Sequence, residues 1–351
     1  LTGGTFTNLI GTTLTGGTFV LAGTFKIPGN ATTITTNAAT LVLDGPAAQI
    51  INAANVTALA NLATNTAAGS FTIKNGRNHA IAGAFANAGL VTIGPGLSTL
   101  SATGNYVQTG GGTTLDSGTL DPTNLVDLQS GSLDGNGTVA ANVTSAGSVR
   151  PGLSTGCLTI TGNYTQTAAG DLQAEIGGLA ACPVGQFDQL LVSGAVSLAG
   201  TLTVALFGGF QPAVGTTFDL ITGASVTGTF GTTNLPLVFG ADCYGGPQYG
   251  PSFVRVTTFA SPTFDQNPAS QTICLGSPVS FHVIVSGSGP FTYQWRKNGQ
   301  PISGATADTY TILSVAAGDA GDYDCVATDI CGSATSTAAT LTVSTGASIT
   351  T

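Results

Sequence analysis

The chain contains no methionine, one tryptophan, one glutamate (Glu175) and two histidines, and charged residues fill only 7% of its 351 positions. Ordinary soluble domains carry roughly 25%. The scarcity of Glu, Lys, Arg and Met removes most good helix formers and excludes a charge-laced helical surface. The seven basic residues (Lys26, Lys74, Arg77, Arg150, Arg255, Arg296 and Lys297) are scattered, and the net charge is −9. A nucleic-acid surface or an anionic-membrane surface needs a basic cluster, so neither partner is expected. Apolar residues reach 42%, but Gly, Thr, Ser and Asn interrupt every run well short of the ~20 needed to span a membrane. No CxxC pair or other metal-ligand spacing is present.

What is abundant is Gly (51 residues), with Thr, Ala, Val and Leu. Thr and Val suit a pleated, half-buried surface and Gly suits tight turns, so the composition predicts an all-β protein. The absence of Met and the start at Leu1 are expected of a processed product or a piece of a longer chain. Six cysteines, Cys157, Cys182, Cys243, Cys274, Cys325 and Cys331, form an even set without metal spacing. That pattern predicts an oxidising, extracellular setting and leaves the pairing open.

The first 240 residues repeat themselves. LTGGTF at 1–6 returns at 14–19, and GNYVQTGGGTTL from Gly104 returns as GNYTQTAAGDL from Gly162. Short apolar-alternating stretches at 40–43, 70–73, 90–93 and 198–206 are separated by Gly, Asn or Asp. A strand of four or five residues holds no sheet alone, but stacked on a near copy of itself it buries one face continuously. About 20 residues per coil would make some 235 residues a rod on the order of 50–60 Å long. A β-sandwich explains the turns equally well but not the near-identical segments.

Several segments carry a more specific likeness. They are LATNTAAGSFTIKNGRNHAIAGAFANAGLVTIGPG (62–96), SLDGNGTVAANVTSAGSVRPG (132–152), GNYTQTAAGDLQAEIGG (162–178), FDQLLVSGAVSLAGTLTVAL (187–206) and FQPAVGTTFDLIT (210–222). Residues 1–258 resemble the autotransporter-associated, passenger-type solenoids of large bacterial surface proteins. The resemblance implies a right-handed parallel β-helix with a C-terminal closing region, displayed at the cell surface as stalk or scaffold, without catalysis. Cys182 and Cys243 depart from it, because such loops usually lack cysteine. A staple of the closing region by these two is one expectation, which leaves Cys157 without an obvious partner.

From Pro262 the texture changes. Val279, Phe281, Val283 and Val285 alternate, Trp295 follows 12 residues after Val283, and Arg296-Lys297-Asn298-Gly299 signals a hairpin. Later come Tyr323 and Cys325, two residues apart, and an alternating strand over 338–343. Residues 262–345 resemble an immunoglobulin-like β-sandwich with its tyrosine corner, of the kind recurring in large bacterial secreted proteins. The core expected is Val283, Trp295, Tyr323 and Cys325. The strand position facing Cys325 holds Val283, so the usual inter-sheet disulfide cannot form, and Cys274 and Cys331 stand as other partners.

Catalytic signatures are sparse. His282 alternates with Phe281 and Val283 and is expected to face outward, while His79 in the RNHA segment is expected in a turn. Asp116, Asp121, Asp127 and Asp134 recur beside turn residues, where capping is the ordinary role. Calcium at the DGNG turn beginning with Asp134 is a sharper expectation, although the repeated Asp pattern of calcium-binding repeats is lacking. No other cofactor and no enzymatic activity are expected.

The opening repeat carries no polar cap, and the tail 346–351 echoes the start of the immunoglobulin-like module. Candidate inter-subunit strands are therefore Leu1, Thr2 and Phe6 at one end and Ala347, Ile349 and Thr351 at the other. Head-to-tail docking without closure builds a filament. The function expected is a structural subunit of an extracellular bacterial filament or surface fibre, with itself as partner. The alternative is a surface adhesin or stalk that contacts neighbouring cells, glycans, matrix or protein through the immunoglobulin-like domain, with the Tyr244/Tyr249 loop as a further aromatic candidate.

Overall fold

A computed structural model describes residues 7–28, 33–182, 186–236 and 242–345. They fall into two compact units. The first runs to Gln211 and includes Thr217–Pro236 and Gly246–Val256; the second takes Pro212–Thr216, residues 242–245 and the chain from Thr257 onward.

The first unit is a parallel β-helix. Each coil lays down three short strands: Ser70–Lys74, Asn78–Ile81 and Phe85–Asn87 make one, and Leu90–Ile93, Thr99–Ala102 and Tyr106–Gln108 make the next. Corresponding strands stack in parallel. Ser70 lies beside Leu90, Leu90 beside Gly112, Gly112 beside Ser132, and Ser132 beside Ser148. Ser148 then pairs with Asp171, Asp171 with Thr201, and Thr201 with Thr232. The early steps are about twenty residues, as a solenoid repeat requires. The later, longer steps accommodate insertions at 177–188 and 207–216.

Alternation drives this packing. Phe71 and Ile73, Val91 and Ile93, Leu133, Val149 and Leu172 point inward and are buried, while the Thr, Ser and Asp between them face out. Each buried aliphatic or aromatic side chain contributes about 1.5–3 kcal/mol, and stacking supplies every strand with the partners it lacks alone. The stretch 198–206, read above as one strand, is two: Leu198 ends Ala195–Leu198, and Thr201–Leu206 starts a new face after a corner at Gly200. A short antiparallel strand, Leu9–Ile10, folds back onto Leu14 and Thr13, so that part of the first rung is covered rather than open.

Two interior features organise the corners. Asn37 donates to Asn65 Oδ1 at 2.8 Å and Asn65 donates to Asn87 Oδ1 at 2.8 Å, a buried amide ladder continued at 3.5 Å by Gln108. Beside it runs a glycine column. A Cβ on Gly89 would overlap the carbonyl of Gly69, and one on Gly111 would overlap that of Gly89. The column continues through Gly131 and Gly147, and the corner admits no side chain because successive backbones touch there.

The second unit contains the immunoglobulin fold. Gly321–Asp329 pairs antiparallel with Thr292–Lys297, Gly332–Thr335 and Ala339–Ser344, and Gln271–Cys274 joins the last in parallel. Val279–His282 pairs with Thr309–Ile312. Asn298 and Gly299, both at positive φ, form the two-residue turn of the predicted hairpin. Val283, Trp295, Tyr323 and Cys325 are buried in one cluster. Trp295 Nε1 donates to Ala307 O at 2.9 Å, and the Tyr323 hydroxyl donates to Asp319 O at 2.8 Å, the hydrogen bond of a tyrosine corner.

Candidate functional site

The terminal candidates Leu1, Thr2, Phe6, Ala347, Ile349 and Thr351 lie outside the described residues. The cysteines pair differently from the expected staple. Cys157 is bonded to Cys182, across the insertion of the first unit. Cys243 is bonded to Cys331, both in the second unit. The reason is local: Cys243 lies opposite Phe259 on a short antiparallel ladder, and the Phe259 carbonyl is 3.4 Å from Cys331 Sγ. Cys274 is free and exposed; Cys325 is free and buried. Burial pushes the Cys325 thiol up to about 11, so it stays protonated.

His79 is not in a turn. It sits in the strand Asn78–Ile81, points into the coil and meets Phe71 edge-on. Burial, reinforced by the positive charge of Arg77, holds its imidazole down at about 4. His282 is exposed on its strand. Tyr244 is buried, whereas Tyr249 is exposed and its hydroxyl accepts the Phe230 amide at 2.9 Å, so only one ring of the pair faces solvent.

Asp134 is also not a turn residue. It stands in Ser132–Gly135, where Arg150 clamps it from the next rung at 2.6 and 3.2 Å and the Ser132 hydroxyl donates at 2.6 Å. Its carboxylate is engaged, which corrects the calcium expectation, and no group of three or more metal-ligating side chains occurs among the described residues. Asp121 and Asp127 likewise lie within strands, and only Asp116 follows one.

The Asp134–Arg150 pair opens onto a groove of about 450 Å³ on the outer surface of the solenoid. The strands Gly112–Leu115 to Thr201–Leu206 form its floor, and residues 151–154 arch over as one wall. Asp188 braces the site. One carboxylate oxygen accepts Gly156 N–H at 2.7 Å and the other accepts Glu175 N–H at 2.8 Å, which ties the arch to the floor. Burial pushes Asp188 up to about 8 against the two amides that favour its charge. The Glu175 carboxylate makes no hydrogen bond or ion pair to any described residue.

Sequence reasoning missed this groove. The clues were the lone glutamate and the second copy of PGLST, at 151–155, but no periodicity joins residues 134, 150, 175 and 188. Only the coil registers do.

One family match falls in the second unit. Residues 262–343 match the family model of the immunoglobulin I-set domain. The chain is similar to the Decoration protein of Escherichia phage T5, 42% identical over 62 residues, which is 17% of this chain and 38% of that protein. It is similar to the Tyrosine-protein phosphatase Lar of Drosophila melanogaster, 34% identical over 95 residues, 23% of this chain and 5% of Lar. Among solved structures, the I-band fragment I67-I69 from titin is 34% identical and covers 24% of this chain and 32% of its own, with a TM-score of 0.23. The chain spans 38% of the length of the decoration protein and 5% of that of Lar. The immunoglobulin-domain match together with two disulfides suggests an extracellular or surface protein, and no helix among the described residues is long and apolar enough to cross a membrane.

Proposed function

We propose that the chain is a structural and adhesive component of an extracellular bacterial surface. In this reading residues 1–258 form a rigid spacer and residues 262–345 a contact module. The observation that carries it is the unbroken stacked core of the β-helix beside an I-set domain, two modules whose ordinary uses are extension and contact. The phage relative, by its name a decoration protein, supports a role in dressing a larger assembly. The immunoglobulin domain would contact a protein or glycan on a neighbouring cell or in matrix.

A second reading is polymerisation with itself. The last rung of the first face, Thr232–Asn234, is exposed along its whole length and offers strand addition to another copy. Light scattering of the purified chain with negative-stain imaging of native extracellular material tests both. Growth into filaments with concentration supports the fibre. A monodisperse monomer that labels the intact cell surface supports the spacer, and absence from both surface and matrix overturns the function.

A further inference from the structure

The solenoid groove has a chemistry that the spacer role does not require. Its size, about 450 Å³, lies within the usual 300–1,000 Å³ of small-ligand sites. Its polar groups come from successive rungs: Thr114 beside Asp134, Asp134 beside Arg150, Gln173 beside Thr203. Pro151 and the half-exposed Leu153 supply an apolar wall.

The occupied groups narrow the ligand. Asp134 is taken up by Arg150 and Ser132, and both oxygens of Asp188 by backbone amides. Glu175 is then the one carboxylate of the groove without a partner among the described residues. A single free carboxylate does not hold a hard divalent cation, which takes six or more oxygens. It does accept hydrogen bonds from adjacent hydroxyls. With Asp134 neutralised by Arg150, the unpaired Glu175 leaves the groove net negative and disfavours anions, sialylated and uronic-acid ligands among them. An extended peptide has nothing to pair with, because the floor strands already hydrogen-bond to neighbours on both sides.

We propose that this groove binds a neutral oligosaccharide, with Glu175 accepting from vicinal hydroxyls, the Asp134–Arg150 pair ordering the polar floor, and Leu153 packing on the C–H face of a ring. The Asp188 brace holds the arch at its working distance from the floor. The inference rests on the adhesive reading of the chain and names a ligand class for it.

The test is the full chain on an array of immobilised neutral glucans, mannans and galactans beside polygalacturonate and sialylated glycans, with calorimetry on any hit. Binding to neutral glycans alone is expected, weakened tenfold or more by Glu175→Gln and several-fold by Leu153→Ser, and unchanged by His282→Ala on the immunoglobulin domain. Because the Glu175 carboxylate has no partner among the described residues, Glu175→Gln should unfold at the wild-type temperature, so its loss of binding would not be a folding defect. No neutral glycan bound at millimolar concentration, or binding that survives both Glu175→Gln and Arg150→Ala, overturns the proposal. Adhesion of the chain to native surfaces is read separately. If it persists while the array is blank, the groove proposal alone fails; if native surfaces also bind nothing, the adhesive reading falls with it.

Discussion

The side-chain amide of Asn65 donates to Asn87 Oδ1 at 2.8 Å, while its own carbonyl oxygen accepts from Asn37 at the same distance. Asn65 is fully buried, and its nitrogen also reaches the carbonyls of Gly69 and Leu90. One residue therefore satisfies polar groups on three rungs. Asn65→Ala should destabilise the solenoid by about 1–3 kcal/mol, since it removes a buried set of hydrogen bonds, although the Asn37 amide keeps the Ala39 and Ser70 carbonyls as acceptors. Asn65→Asp should cost more, because a second acceptor then faces Asn87 Oδ1. Urea unfolding of the two variants checks the order. If both are within error of wild type, the ladder contributes nothing.

His79 should limit stability in acid. Its folded value, about 4, lies below the unfolded value near 6.5, so the neutral form is the one the fold favours. The stabilisation is complete above about pH 6.5 and is lost as pH falls toward 4, by an amount on the order of 3 kcal/mol. Leu100 occupies the paired position on the next rung. His79→Leu should accordingly fold and flatten this acid limb, which urea midpoints between pH 4 and 7 would reveal.

Asp188 should act with the opposite slope. Its folded value of about 8 lies above the reference of 3.8, so the fold favours the protonated acid. The contribution is fully present below about pH 4 and declines as pH rises toward 8. Asp188→Asn cannot accept both Gly156 N–H and Glu175 N–H, so it should lose about 1 kcal/mol at low pH but also lose the slope. A variant that keeps the wild-type slope assigns the pH dependence elsewhere.

The thiols should separate by access. A maleimide should label Cys274 in the native protein and reach Cys325 only after unfolding, because Cys325 is buried against Trp295 and protonated. Cys157→Ser opens a loop spanning 25 positions and should lower stability by about 3 kcal/mol in the chain-entropy account. Mass spectrometry after labelling and thermal unfolding of the variant read the two effects.

Much of the architecture was legible from periodicity. Alternation at 70–73 and 90–93 matched the rungs because a residue's face in a strand depends on its own neighbours in sequence. Trp295, Tyr323 and Cys325 were recognisable because the sandwich imposes their spacing. The groove was hidden for the converse reason. Arg150 reaches Asp134 only because the strands holding them are successive rungs, and Glu175 meets Asp188 only because the intervening loop closes on itself.

Composition and alternation by themselves determined an all-β chain with a solenoid half and an immunoglobulin half, since strand-forming residues, turn glycines and buried faces are local properties. The tertiary structure decided which cysteines pair, that His79 lies inside and Asp134 within a strand, and that one acid is left without a partner in a groove. Those outcomes depend on which rung lies beside which, and register between distant segments is set by packing and backbone approach across the coil rather than by any stretch of sequence read alone.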